Sequence, residues 1–416
     1  MTKSAISNRT YLLYLIGNTI SLHGLWIYRV ALGWFAWQLS QSEFWVGMVA
    51  FTQFAPAVIF GPLFGVLADR FDRRAASLLI NSMSVLNMLL LGLLAVLGYV
   101  DIYVLTMTSL MQGILDGAHM PVRMSVVPNL VARAQLESAI AITSISFNVS
   151  RFVGPALAGF IIASYGVAAA FIVNGVSYLA LIAAMLVIRL NPAAARQSRQ
   201  RHVWHEMREG VIYAISHPRI RALLVIVAVA SIFGRGVLEM LPAFADAVYQ
   251  RGSAALATLT SAIGAGAIVA GLILSRGVHW LRVRVIRAGV VTGGLLIALL
   301  GAIDQFWVAV VIVSLLGVIL SICGIGSQIF MQTLVEDEVR GRVSSFWGMI
   351  TFGGTALGSL LVGSAATVLG LQNVVIISGI ACSVAAALSV FLAKSRRDKI
   401  DGVERRNTLR RDAEKF

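Results

Sequence analysis

Apolar runs of about 20 residues, parted by short charged connections, recur along the whole of this 416-residue chain. A run of that length is what an α-helix needs to cross the hydrocarbon core of a bilayer. Twelve such spans are legible, near residues 11–39, 44–67, 75–98, 102–122, 137–164 and 168–189, then 219–245, 253–275, 283–302, 306–330, 343–369 and 373–393. The chain is 58% hydrophobic and 12% charged, about half the charged fraction of soluble domains. The prediction is an all-α polytopic membrane protein with twelve transmembrane helices. Lys3 and Arg9 precede the first run without a cleavage site after it, so that run reads as an uncleaved first helix.

The net charge of +14 sits between the apolar runs rather than on one polar face. That placement argues against a nucleic-acid partner and for topology-setting charge. Arg70, Arg73, Arg74, Arg133, Arg276, Arg282, Arg340 and Arg342 fall in connections on one side, with both termini. Glu43, Asp101, Asp246 and Asp304 fall on the other, where Arg251 is the one basic residue. The basic side is expected to be cytoplasmic, with both termini inside a cell inner or plasma membrane.

A shift of 204 residues lays 129–166 on 333–370 and brings Gly154, Gly159 and Gly166 onto Gly358, Gly363 and Gly370. A duplicated six-helix unit is the inference, and parallel repeats of this kind place a substrate site at the interface of the halves. The expected divisions are an N-terminal bundle at 1–190, a cytoplasmic linker with an amphipathic helix at 191–218, a C-terminal bundle at 219–393, and a cytoplasmic tail at 394–416 too polar to pack.

Residues 65–74, "GVLADRFDRR", resemble the loop between helices 2 and 3 of the major facilitator superfamily, whose pattern is Gly-x-Leu-Ala-Asp-Arg-x-Gly-Arg-Arg. Asp72 departs from it, standing where the pattern has Gly. "GPALAG", with Gly154, Pro155 and Gly159, is similar to the end of that superfamily's helix-5 antiporter motif, without its earlier glycines. "PVRMSVVPNLVARAQLESAIAI" and "VRGRVSSFWGM" resemble the enterobactin-exporter-like and drug-exporter branch. The resemblance implies a gating loop built on Gly65, Asp69, Arg70, Arg73 and Arg74. A second cytoplasmic charged cluster, "EDEVRGRVSS" between helices 10 and 11, offers Arg340 and Arg342 for inter-half pairing; the alternative reading is a solvated loop.

An ionised side chain at mid-bilayer is costly unless it faces a cavity or a partner. Asp116 and Glu239 are the acidic residues well inside spans and are the candidates for proton coupling. Arg29, Arg151 and Arg235, with Trp26 as an aromatic wall, are the candidate substrate cavity; the other reading makes Arg235–Glu239 an internal pair and lets Arg29 snorkel to the interface. Asp116, His119 and Arg123 have helical spacing on one face. The arginines favour an anionic or catechol-like substrate.

Cys323 and Cys382 form no CxxC, six His show no metal-ligand cluster, and no phosphate-binding GxxxxGK[ST] occurs. No enzyme, cofactor or metal is expected. The expected function is proton-coupled export of a small organic molecule, siderophore or drug-like, by a monomer whose partners are substrate, protons and lipids. An importer or facilitator is the alternative mechanism. A non-transporting sensor or scaffold is the alternative class, but a sensor is expected to carry a folded soluble domain and no stretch here reads as one.

Overall fold

A computed structural model describes residues 5–61, 63–64, 72–188, 212–214, 216–277, 280–335 and 337–389. Among these residues twelve helices follow one another: α1 Arg9–Ser40, α2 Glu43–Ile59, α3 Arg73–Val96, α4 Ile102–Val126, α5 Leu136–Tyr165 and α6 Val167–Val187. Then come α7 Pro218–Val248, α8 Gly252–Ser275, α9 Val283–Gly301, α10 Phe306–Leu334, α11 Asp337–Leu369 and α12 Leu371–Ser389. Nine are long and apolar enough to cross a membrane; α2 is shorter, and α1 and α4 fall outside that set. Polar residues at buried positions lower the apolarity of α1 and α4: Asn18 and Ser21 on one, Ser109 and Gln112 on the other. The outer faces are apolar. On α3, Leu79, Leu86, Leu90 and Leu93 are exposed, a surface that only lipid covers stably.

Short polar side chains cap α1, α3 and α4. Asn8 Oδ1 accepts from the Thr10 and Tyr11 N–H groups at 3.0 and 3.3 Å, and Asp101 Oδ1 accepts from Val104 N at 2.7 Å. Asp72, the departure from the loop pattern, caps α3 by accepting from Ala75 N at 2.7 Å. Arg74, on the first turn of that helix, donates from Nε to the Met185 carbonyl at 2.8 Å and from a second nitrogen to Leu186. It thus satisfies orphan carbonyls at the C-terminal end of α6.

The glycines matched at an offset of 204 do matching work. Gly166 and Gly370 turn α5 into α6 and α11 into α12 with φ of 79° and 81°, a left-handed conformation that glycine adopts without a Cβ penalty. Gly159 packs on Ala257 of α8, and Gly363 on the Glu43 carbonyl of α2. These crossings join the first six helices to the last six.

The end of the bundle holding the start of α1 and the finish of α12 is the terminal end; the other is the far end. At the far end one core spans both sets of helices, including Ile27, Trp34, Val49, Val237, Phe244 and Leu259. At the terminal end the core is two separate clusters. One, with Tyr11, Tyr14, Val126 and Met185, belongs to the first six helices; the other, with Ile220, Ile286, Met331 and Val343, belongs to the last six. The α5–α8 contact follows the same division. A Cβ at Gly264 would lie 2.6 Å from Phe152 Cα, whereas one at Gly271, two turns further along the same face, would meet nothing within 4 Å. Ile145 and Leu272, beyond that contact, are 63% and 62% exposed. Among the described residues the two halves therefore close on each other at the far end and part at the terminal end.

Three expectations need correction or placement. The polar stretch "EDEVRGRVSS" reads as a loop, but the backbone is helical from Asp337, so α11 begins six residues before the expected span. Helix 7 is interrupted by two π segments, Ala230–Arg235 and Phe244–Val248, which apolar periodicity does not signal. Gly65, Asp69, Arg70, most of the linker and the tail lie outside the described residues, as do the side chains of Arg340 and Arg342.

Candidate functional site

The charged residues expected inside the membrane converge where the two halves begin to part. Trp26 and Arg29 lie one turn apart on α1. The Arg29 guanidinium carbon sits 4.8 Å from the Trp26 ring centroid and 5.3 Å from that of Phe54 on α2, distances at which a cation is attracted to a ring face. Gly154 lets α5 approach so closely that its Cβ position would fall on Trp26 Cβ. Three residues earlier on that face, Arg151 brings its guanidinium to 5.6 Å from the same Trp26 ring. Two arginines from different helices thus flank one indole. Phe147 meets Trp26 edge-on at 5.9 Å and 71°, and Phe54 stacks with Phe352 of α11 at 6.4 Å and 22°. That last pair crosses between the halves.

The acids arrive from α4 and α7. Asp116 Oδ1 accepts from Gln112 Nε2 at 2.9 Å. Gln112 is itself held: its Oε1 accepts from Asn87 at 3.2 Å, and its Nε2 also reaches the Tyr178 hydroxyl at 3.2 Å. This buried polar chain through α3, α4 and α6 fixes one carboxylate oxygen of Asp116. Arg29 is an electrostatic neighbour of Asp116 from the first half and of Glu239 from the second. Arg151 and Arg235 also act on Glu239. One guanidinium therefore lies within electrostatic range of acids from both halves, while its direct contacts are the Trp26 and Phe54 rings. All five of these charged side chains are half-buried.

Helix α7 owes its irregular shape to close packing. A Cβ at Gly236 would lie 2.5 Å from the Gly358 carbonyl carbon of α11, and the preceding π segment ends on Arg235. π segments are frequent at functional positions. On the other side of Arg235 lies a cavity of about 20 Å³, bordered by Ser231, Cys323, Gly324, Trp347 and Thr351. That volume suits about one water molecule.

The expected common face of Asp116, His119 and Arg123 divides. Asp116 turns to Gln112 and Arg29, whereas Arg123 lies 6.0 Å from the Phe147 ring and bonds the Tyr14 hydroxyl. Sequence reasoning missed Phe54, Phe352, Gln112 and Tyr178. The Gln112–Asp116 spacing of four within an apolar helix was the available signal for the first polar partner. Arg287, another charge within a span that it passed over, donates from Nε to Ser389 Oγ at 3.0 Å and lies outside this cluster.

Chemically, three guanidinium groups face two carboxylates around aromatic rings. Two buried donors there, Arg29 Nε and Trp26 Nε1, have no hydrogen-bond acceptor among the described residues. Such a donor costs free energy until something accepts from it.

Comparison with known proteins gives a consistent result. A family model for transmembrane secretion effectors of the major facilitator type matches residues 2–412. The chain is 24% identical over 408 residues to a staphyloferrin A transporter of Staphylococcus aureus, covering 96% of this chain and 98% of that one. It is 24% identical over 301 residues to the enterobactin exporter EntS of Escherichia coli O1:K1, with 72% and 71% covered. Among solved structures, the nucleoside transporter NupG superposes with a TM-score of 0.72 at 14% identity, over 93% of this chain and 99% of that one. An inward-facing, unoccupied bacterial homologue of the lysosomal transporter Spinster gives 0.73 at 14%, over 95% and 98%. At these identities the structures share the fold.

Proposed function

Because this chain belongs to the transmembrane secretion effector family of the major facilitator superfamily, and so is a multi-pass membrane transporter rather than an enzyme, we propose that it exports a small organic molecule. Substrate enters the cleft between the halves, and proton movement through Asp116 and Glu239 accompanies transport. The observation that carries this reading is Arg29, held against Trp26 and against Phe54 of the inter-half Phe54–Phe352 pair, within electrostatic range of an acid from each half, at the point where one core becomes two. A cation placed there is sensitive both to what occupies the cleft and to how the halves sit. The terminal end, with its basic connections, is the cytoplasmic side, which makes the described shape inward-open.

Alternating access then requires the α5–α8 and α2–α11 crossings to close at the terminal end while the far-end core opens. Gly65, Asp69, Arg70, Arg73, Arg340 and Arg342 form the cytoplasmic gate; Arg74 is a brace within the first half. Asp69→Asn is expected to preserve expression and insertion while impairing transport.

The test is solute movement in inverted membrane vesicles under an imposed pH gradient, screened with catecholates, hydroxycarboxylates, macrolides and dyes. Movement of one class, lost in Asp116→Asn and Glu239→Gln, supports the proposal. Unchanged movement in both variants removes the coupling role, and no movement of any class removes export.

A further inference from the structure

The aromatic and the polar groups of the cleft differ in what they still lack. Trp26 is already flanked by the Arg29 and Arg151 guanidinium groups and met edge-on by Phe147. Phe54 already has Arg29 and the stacked ring of Phe352. The rings are thus engaged by protein partners, and a flat aromatic ligand would have to displace them. Two donors are not engaged: Arg29 Nε and Trp26 Nε1 are buried without an acceptor among the described residues. Arg235, near the same site, adds a third cation.

From this contrast we infer that the cleft takes a small organic acid bearing two or more carboxylates, bound by Arg29 and Arg151 with the Trp26 Nε1–H as an uncharged donor. Guanidinium forks match carboxylates in pairs and charge-assisted bonds are the strong ones, so two arginines on one indole border a site for two such groups. Asp116 and Glu239 are the groups with which the ligand competes, because both lie within electrostatic range of Arg29. Asp116 is faced also by Gln112, Tyr28 and Tyr178, and Glu239 by Arg151 and Arg235. The aromatic rings then serve to orient the guanidinium groups rather than to stack on substrate.

This inference rests on the cleft being the transport site, and the experiment separates the two. Purified full-length protein in lipid nanodiscs is measured for equilibrium binding of radiolabelled citrate and of catechol. A spin-label pair at positions 145 and 272 reports in the same samples on the gap between α5 and α8. Citrate is expected to bind saturably, to resist displacement by catechol, and to lose at least tenfold in affinity in Arg29→Gln and in Arg151→Gln. Trp26→Phe, which keeps a ring and removes the donor, is expected to weaken citrate severalfold; it supplies the test if an arginine variant fails to elute as a single folded species. Absence of citrate binding, displacement of citrate by catechol, or unchanged affinity in well-folded variants overturns the inference. If catechol alone changes the 145–272 distance, the ligand class is wrong and the transport reading stands. If neither ligand binds or changes it, the inference fails, and the vesicle screen decides the transport reading.

Discussion

The indole of Trp37 on α1 donates its Nε1–H to Asp246 Oδ2 on α7 at 2.8 Å, joining residues 209 positions apart and the two halves of the molecule. The bond lies on the far side, beside the shared core, and Asp246 sits in the second π segment of α7. It therefore belongs to the contact that holds this end shut.

Trp37→Phe keeps the ring and removes that bond. A hydrogen bond to a charged group contributes about 1.5–3 kcal/mol, so far-end closure is expected to weaken by roughly tenfold or more in population. Spin labels at 145 and 272 should then report a larger closed fraction at the terminal end. An unchanged distance distribution counts against a latch.

Gly154→Val is expected to destabilise the protein, because its Cβ would fall on Trp26 Cβ and force α5 from α1. Overpacking of this kind costs about 1–3 kcal/mol. Gly348→Ala is the matched control, since nothing lies within 4 Å of its Cβ position. Thermal melts in detergent compare the two; equal melting temperatures would contradict the close α1–α5 packing.

Gln112→Leu withdraws the donor from Asp116 and one partner each from Asn87 and Tyr178, although Asn87 keeps the Thr108 carbonyl. Leaving the buried Asp116 oxygen without its donor costs about 1–3 kcal/mol. Transport is expected to fall by at least tenfold with an altered pH profile. Tyr178→Phe, which removes one peripheral partner, should be milder. A normal pH profile in Gln112→Leu would show that the polar chain is scaffolding only.

Competition between ligand and protein carboxylates for Arg29 fixes the sign of a pH effect. Asp116 and Glu239 oppose an anionic ligand when ionised and stop opposing it when protonated, so the protein's contribution to citrate affinity should rise as pH falls. Asp116→Asn and Glu239→Gln should each raise affinity above the parent at neutral pH and flatten the dependence. Measuring each variant as a ratio to the parent at every pH cancels the titration of citrate itself. Ratios that stay at one across the range would refute the competition.

Asp72→Ala removes the cap of α3, a change worth about 0.5–2 kcal/mol, while Asp72→Asn should restore most of it. Hydrogen exchange at the first turn of α3 reads the difference. Equal protection in both variants would rule out the cap.

The spans, the repeat and the matched glycines are legible in the amino-acid sequence, because lipid imposes one length and one polarity on every crossing. Depth along a helix is legible too, and it puts Arg29, Arg151, Arg235 and Glu239 near one level. Azimuth is not. Whether Arg29 meets water, lipid or Trp26 depends on how α1 is rotated against α5, which Gly154 settles through a neighbour 128 positions away. The π segments of α7 escape for a similar reason: apolar periodicity does not signal them, and the first ends beside the close approach of Gly236 to Gly358, a contact between residues far apart in sequence. The start of α11 is hidden because its first turn is charged, and charge reads as a loop where apolarity is the criterion.

The single core at the far end also bears on how the molecule is made. Trp34 and Val49 come from the first half of the chain, yet their buried cluster includes Val237, Phe244 and Leu259 from the second. When synthesis has delivered six helices, that cluster lacks its second-half members. The membrane insertion machinery thus releases the early helices with a face still waiting for its partner, and any delay between the halves is a period in which lipid or a chaperone must stand in.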